Sequence, residues 1–183
     1  LGGEKPTDPS EQGYWLASYY PVRTRDGRLL GVGVMVIDVT EHRRADEVHA
    51  QLAAIVASSD DAIIGETLAG VVTSWNTGAE RLYGYGASEV IGQPIALLMP
   101  PERADELPGI LARLRKGERL QHIETVRMRK DGQRLDVSLS IFPIKDGHGR
   151  IIGAATIARD ITERMQVEAD LKASLREKEM LLQ

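Results

Sequence analysis

Two short polar motifs, Asp38-Val-Thr40 and Asp160-Ile-Thr162, hold the side chains placed most specifically for hydrogen-bond chemistry. Each follows an apolar, β-branched run and precedes a charged stretch with helical spacing. In that place a carboxylate or hydroxyl oxygen takes up the free backbone N–H groups that open a helix. The same cap at a strand-to-helix joint would also couple movement of the sheet to the position of the helix, and both readings stand. Asn76 is a third oxygen of this kind, ahead of a helix from Thr77 to about Leu82 that stops at Gly84. The chain has no cysteine, which excludes disulfides, thiolate metal sites and thiol catalysis. No ATP-binding or catalytic motif is present, so no enzymatic activity is expected of this stretch.

The elements that must position these motifs are repeated. Leu29 to Glu41 and Ile151 to Glu163 align without a gap, and the match extends back to Pro21 and Pro143. A repeat at one fixed interval means that one strand-then-helix device is used twice. Tyr14–Tyr20 and Leu29–Val39 read as a hairpin around Thr24-Arg-Asp-Gly27, since Asp-Gly between β-rich runs is a hairpin signal. By the repeat, this hairpin matches only the last part of the second unit. It is expected to be the tail of a preceding domain. Glu41 to Ser59 is helical, with Val48, Leu52, Ile55 and Val56 on one stripe. Short strands at 61–66 and 71–75, helical pieces at 87–91 and 94–98, and a helix opened by Pro100-Pro101 and closed by Gly117 follow. Strands at 120–129 and 134–145 flank Asp131-Gly132. In the second, Leu135, Val137, Leu139 and Ile141 alternate with polar residues, the mark of a half-buried antiparallel strand.

The composition limits the range of functions. The chain has 183 residues, with 23 Lys and Arg against 27 Asp and Glu. That acidic excess argues against a nucleic-acid surface, which would carry a basic stripe. No apolar run approaches the roughly 20 residues that span a membrane, so no membrane is expected in this segment. The expected compartment is the cytoplasm.

The order β-β-α-α-α-β-β-β resembles a PAS domain, and four motifs carry the resemblance. They are Trp75-Asn76-x-x-Ala79-Glu80-x-Leu82-x-Gly84-Tyr85, Glu89-x-Ile91-Gly92, Glu124-Thr-x-Arg127 with Arg129-Lys-Asp-Gly132, and Asp160-Ile-Thr162. The resemblance implies an α+β PAS fold: a five-stranded antiparallel sheet with helices on one face, flanked by N- and C-terminal helices. It divides the chain into the hairpin of a truncated PAS repeat (1–42), a linker helix (43–60), a PAS domain (61–163) and a signalling helix (164–183). Light-sensing flavin members carry a reactive cysteine and two asparagines. Here the asparagine positions hold Arg127 and Val137, and the signalling glutamine position holds Ala158. Oxygen-sensing heme members carry an axial histidine where this chain has Leu107, and a distal arginine where it has Ile123. Of His42, His49, His122 and His148, only His122 could substitute as a heme ligand, and its plainer reading is an edge-strand surface residue. Heme and photochemical flavin are thus both disfavoured, and the cofactor is unknown or none.

The resemblance also implies a small-molecule pocket between sheet and helices, with Leu82, Ile110, Leu114, Ile123, Arg127, Val137, Leu139 and Ala158 as candidate lining. The plainer reading of the apolar ones is core. Ala154, Thr156 and Ala158 put short side chains on the inward face, so either the helices pack close there or a cavity remains. Arg127 poses a conflict. The apolar alternation of Val126 and Met128 points it outward, while the family alignment points it inward; the expectation is a place at the pocket rim, paired with a nearby acid. Asp160 and Thr162 are the expected signal relay. Leu171, Leu175, Lys178 and Leu182 form a loose heptad seam, so Leu171, Leu175 and Leu182 are the expected contacts of a homodimeric coiled coil. Residues 174–183 resemble the lead-in to the phosphoacceptor helix of sensor histidine kinases. This implies a downstream kinase domain in the same parent chain, with its histidine just past Gln183. The expected function is a sensory PAS module of a two-component histidine kinase. The alternatives are a ligand-free dimerisation and relay module, or a heme- or flavin-bound redox sensor.

Overall fold

Ala62, Ile64 and Glu66 alternate with Ile63, Gly65 and Thr67, and this period of two sets the first strand of the main sheet. The structure, a computed structural model, describes residues 13–181. The chain divides into two units, Leu1–Ala54 and Ile55–Gln183. In the first, β1 (Trp15–Arg23) pairs antiparallel with β2 (Leu29–Asp38), and α1 (Thr40–Ser58) follows. β1 runs three residues beyond Tyr20, the end expected from sequence, and takes in Pro21, which pairs with Val32. A proline without an N–H is tolerated there because it lies on an edge of the two-stranded ladder.

The second unit holds β3 (Ala62–Thr67), β4 (Val72–Trp75), α2 (Thr77–Tyr83), α3 (Ala87–Val90), α4 (Glu106–Arg115), β5 (Leu120–Met128), β6 (Arg134–Lys145), β7 (Ile151–Asp160) and α5 (Thr162–Leu181). Its five strands run in the order β4-β3-β7-β6-β5, each pair antiparallel. The inward residues of β3, β6 and β7 meet Tyr83 of α2, Val90 of α3 and Leu111 and Leu114 of α4 in one core. The fold is therefore α+β with helices on one face of a five-stranded antiparallel sheet. Burial of this apolar surface is the main stabilising term, at about 25 cal/mol per Å² removed from water.

Asn76 fastens α2 to the sheet. Its Oδ1 accepts from the Ala79 N–H as a helix cap and from the Ile63 N–H, both at 2.8 Å. Its Nδ2 donates to the carbonyls of Val56 and Asp61. All four hydrogen-bonding positions of the amide are filled. The expected start of α4 at Pro100-Pro101 is corrected. Pro100 is extended, Pro101–Arg103 form one 3-10 turn, and the α-helix begins only at Glu106. The residue before a proline is driven out of the α region, which keeps the Pro-Pro step from nucleating the helix.

The β1–β2 hairpin of the first unit repeats the β6–β7 pair of the second. The pairs Trp15/Asp38 and Val137/Asp160 are equivalent, and the register break at Val22/Arg23 recurs at Ile144/Lys145. The Thr40 N–H donates to Asp38 Oδ1 at 2.9 Å, and the Thr162 N–H to Asp160 Oδ1 at 2.8 Å. Each threonine hydroxyl oxygen in turn accepts from a backbone N–H, Tyr14 in one unit and Asp136 in the other. The carbonyls of the same two residues accept from the Val39 and Ile161 N–H groups, both at 2.9 Å.

Candidate functional site

A cavity of about 30 Å³ lies between the sheet and the helices of the second unit. Most of its lining is aliphatic, including Ile64, Leu98, Leu107 and Ile141, but Glu66, Arg127 and Thr156 also face it. Glu66 is on β3, Thr156 on β7 and Arg127 on β5, so three strands bring polar groups to one apolar hollow.

Arg127 lies inside, not at the rim as expected from sequence, and only 4% of it is exposed. Val126 and Met128, half-buried, take the alternate positions of β5. A register break between Leu120 and Ile123, with His122 at φ 54°, lets Leu120 share the inward face with Thr125 and Arg127. Arg127 Nη1 donates to Glu106 Oε2 at 3.0 Å, to Thr125 Oγ1 at 3.1 Å and to the Val126 carbonyl at 2.8 Å. Thr125 Oγ1 donates to the Glu106 carboxylate, 2.9 Å from each oxygen. Arg103, near the surface, holds the other side of Glu106 at 3.1 Å. Partial burial pushes the Glu106 carboxyl up, but the bonds from Arg127 and Thr125 outweigh it and leave the group below its ordinary range. The internal ion pair foreseen for Arg127 is thus present.

Glu66 is in a different state. Thr156 Oγ1 donates to its Oε1 at 3.0 Å, while Oε2 is buried with no hydrogen-bond partner among the described residues. Burial pushes the Glu66 carboxyl above its ordinary value, and the Thr156 bond and the charge of Arg127 only partly oppose this. Neither Glu66 nor Glu106 was among the residues expected from sequence. The signal for Glu66 was its place in the Ala62, Ile64, Glu66 alternation. Glu106 sits in the first turn of α4, where nothing in the sequence marks its partner.

Of the expected pocket residues, Ile110, Arg127 and Leu139 line the cavity. Leu114, Val137 and Ala158 are fully buried core, and Leu82 and Ile123 pack against that core; none of these five borders the hollow. Trp75 is core too, its ring 5.6 Å from that of Tyr83 and its Nε1 donating to the Tyr85 carbonyl. Leu107 lines the cavity where heme-binding members carry histidine. His122 borders a separate depression with Ser138, Ser140 and Arg159. A hollow of this size with no histidine or cysteine in its lining does not fit a heme or a photochemical flavin.

Thr156 and the Asp160 cap are on the same strand, so β7 runs from the cavity to the start of α5. Arg164 of α5 also bonds Glu124 of β5. Leu171 and Leu175 are exposed on α5. Leu182 lies outside the described residues. No described helix is long and apolar enough to cross a membrane.

Comparison with known proteins matches residues 60–163 to the PAS domain family and residues 2–44 to a second model described as PAS fold. Two-component system protein A of Emericella nidulans is 38% identical over 117 residues, covering 61% of this chain and 16% of that protein. Sensor protein FixL of Bradyrhizobium diazoefficiens is 27% identical over 174 residues, covering 89% of this chain and 34% of that protein. The chain thus spans about a third or less of the length of these relatives. The crystal structure of a PAS domain from Colwellia psychrerythraea superposes with a TM-score of 0.58 at 31% identity, over 63% of this chain and 98% of that one. With the sheet order, the helical face and the match over residues 60–163 in agreement, the chain belongs to the PAS domain family and is homologous to sensor kinases of two-component systems.

Proposed function

We propose that this chain is the sensory module of a two-component histidine kinase, which binds a small ligand between sheet and helices and passes the change along α5 to a kinase domain in the same parent chain. The observation that carries this reading is that β7 bears both Thr156, at the hollow, and Asp160, which caps α5. A ligand that draws on Glu66 or Thr156 acts on the strand that holds the outgoing helix. In this reading α5 is the contact of a homodimer in the cytoplasm, and the exposure of Leu171 and Leu175 supports the contact. The hairpin β1–β2 is the closing strand pair of a preceding PAS repeat, and α1 is the linker between the repeats. The test is Asp160→Ala in the full-length parent. Autophosphorylation should change its response to stimulus while ligand affinity stays the same. An unchanged response would refute the coupling.

A ligand-free relay module is the second reading, and the small size of the hollow favours it. Native mass spectrometry of the purified chain separates the two: a retained small molecule supports sensing, and an empty dimer supports relay alone.

A further inference from the structure

The polar partners at the cavity are unevenly matched. Oε1 of Glu66 is satisfied by Thr156, and Oε2 by nothing among the described residues, although Glu66 is only 5% exposed. A buried polar atom without a partner is destabilising, and each such atom in a folded protein calls for a specific reason. Arg127 lines the same hollow, which at first suggests an anion site. Its Nη1, however, already donates to Glu106, Thr125 and the Val126 carbonyl. An entering carboxylate would lie against Glu66 while Glu106 already balances Arg127, and like charges packed together in low dielectric repel.

A hydroxyl suits Oε2 of Glu66 better. It both donates and accepts, so it completes Glu66 whether or not that carboxyl holds its proton. The remaining lining is mostly aliphatic, so the body of the ligand must be hydrocarbon. At about 30 Å³ the hollow is about a fifth of the roughly 150 Å³ cavity that holds a benzene molecule. A larger occupant must therefore displace part of the lining, and half-buried Met99, unbranched and adaptable, is the side chain suited to move.

We infer that the cavity takes a small neutral alcohol, whose hydroxyl donates to Oε2 of Glu66 while its short alkyl group lies among Ile95, Leu98, Met99 and Leu107. This rests on the ligand-sensing reading above and names the chemical class of its ligand. The test is an amide NMR titration of the whole chain with three two-carbon probes: ethanol, acetate and ethylammonium, at matched ionic strength. Ethanol should give saturable shifts at Glu66, Thr156 and Arg127, and acetate should not. Glu66→Leu should weaken ethanol binding by about tenfold, the loss of one hydrogen bond to an acidic group, with a well-dispersed spectrum as the check on folding. Glu66→Gln, which keeps an acceptor and a donor, should retain most of it. Met99→Ala, which enlarges the hollow, should tighten it. Acetate or ethylammonium saturating below ethanol would overturn the ligand class and leave ligand sensing standing, as would ethanol binding unaltered in Glu66→Leu. No saturation by any probe, in the wild type and in Met99→Ala alike, would overturn both.

Discussion

A carboxyl group held in an apolar hollow with no partner for one oxygen works against folding, and among the described residues Glu66 is such a group. Glu66→Leu should raise stability by roughly 1–3 kcal/mol, the penalty of a buried unsatisfied polar group, as read by urea unfolding near neutral pH. The pH dependence has a definite sign. Burial raises the folded-state value of Glu66 above the ordinary 4.5, so the folded state holds this proton more tightly than the unfolded chain does. The stability that this gives is fully present below 4.5 and is lost as pH climbs through the raised value. Glu66→Gln should therefore gain on wild type as pH rises above 4.5, and a constant difference across pH would refute the raised value. Asp61 carries the opposite slope. Its bonds to Arg159 hold it below 3.8, so its contribution is present above that value and fades as pH falls. Sequence reasoning found Arg127 and missed its surroundings. The alternation of Val126 and Met128 registers hydrophobicity alone, whereas Arg127 is stable inside because Glu106 and Thr125 satisfy it there. That compensation comes from a side chain of the preceding helix and from the strand's own Thr125, and a pattern of hydrophobicity does not contain it.

The strand-to-helix joint governs the element scale. Asp160→Ala removes the acceptor for the Thr162 N–H and should lower stability by about 1 kcal/mol, the usual loss for a helix cap. Asp38→Ala should loosen the first turn of α1, where the equivalent bond forms. Hydrogen exchange at the first turns of α1 and α5 measures each loss separately. Gly78 marks the other tight junction. A methyl group there would lie 2.3 Å from the Asp61 carbonyl oxygen and 2.8 Å from that of Ser59, both rigid backbone. Gly78→Ala should destabilise by about 1–3 kcal/mol as the helix is pushed from the strand entry, seen as a lowered melting temperature. The doubled Asp-x-Thr motif was legible from the repeat alone. Its second half, the bond from Tyr14 or Asp136 to the threonine, was not, because that donor is a backbone N–H and leaves no trace in residue type.

At the scale of the whole molecule, the two strand pairs share one register yet differ in covering. Val137, Ile141 and Ala154 are buried, while their counterparts Trp15, Tyr19 and Val32 are 65%, 71% and 62% exposed. An isolated hairpin is at best marginal in water, and an exposed apolar face invites association. The chain should therefore self-associate with rising concentration, and Tyr19→Lys with Val32→Lys should suppress this in sedimentation velocity; association unaffected by the pair would exclude the hairpin face as its cause. The way α5 is mounted has a further consequence. The first turn of the helix is pinned to three neighbouring strands, through Thr162 to Asp160 of β7 and the Asp136 N–H of β6, and through Arg164 to Glu124 of β5. Neighbouring strands stand about 4.8 Å apart, so the attachment spans about 9.6 Å, whereas twenty residues of helix reach about 30 Å. The mounting is a lever with an arm ratio of about three, so half an ångström of slip between β5 and β7 would swing the far tip through about 1.5 Å.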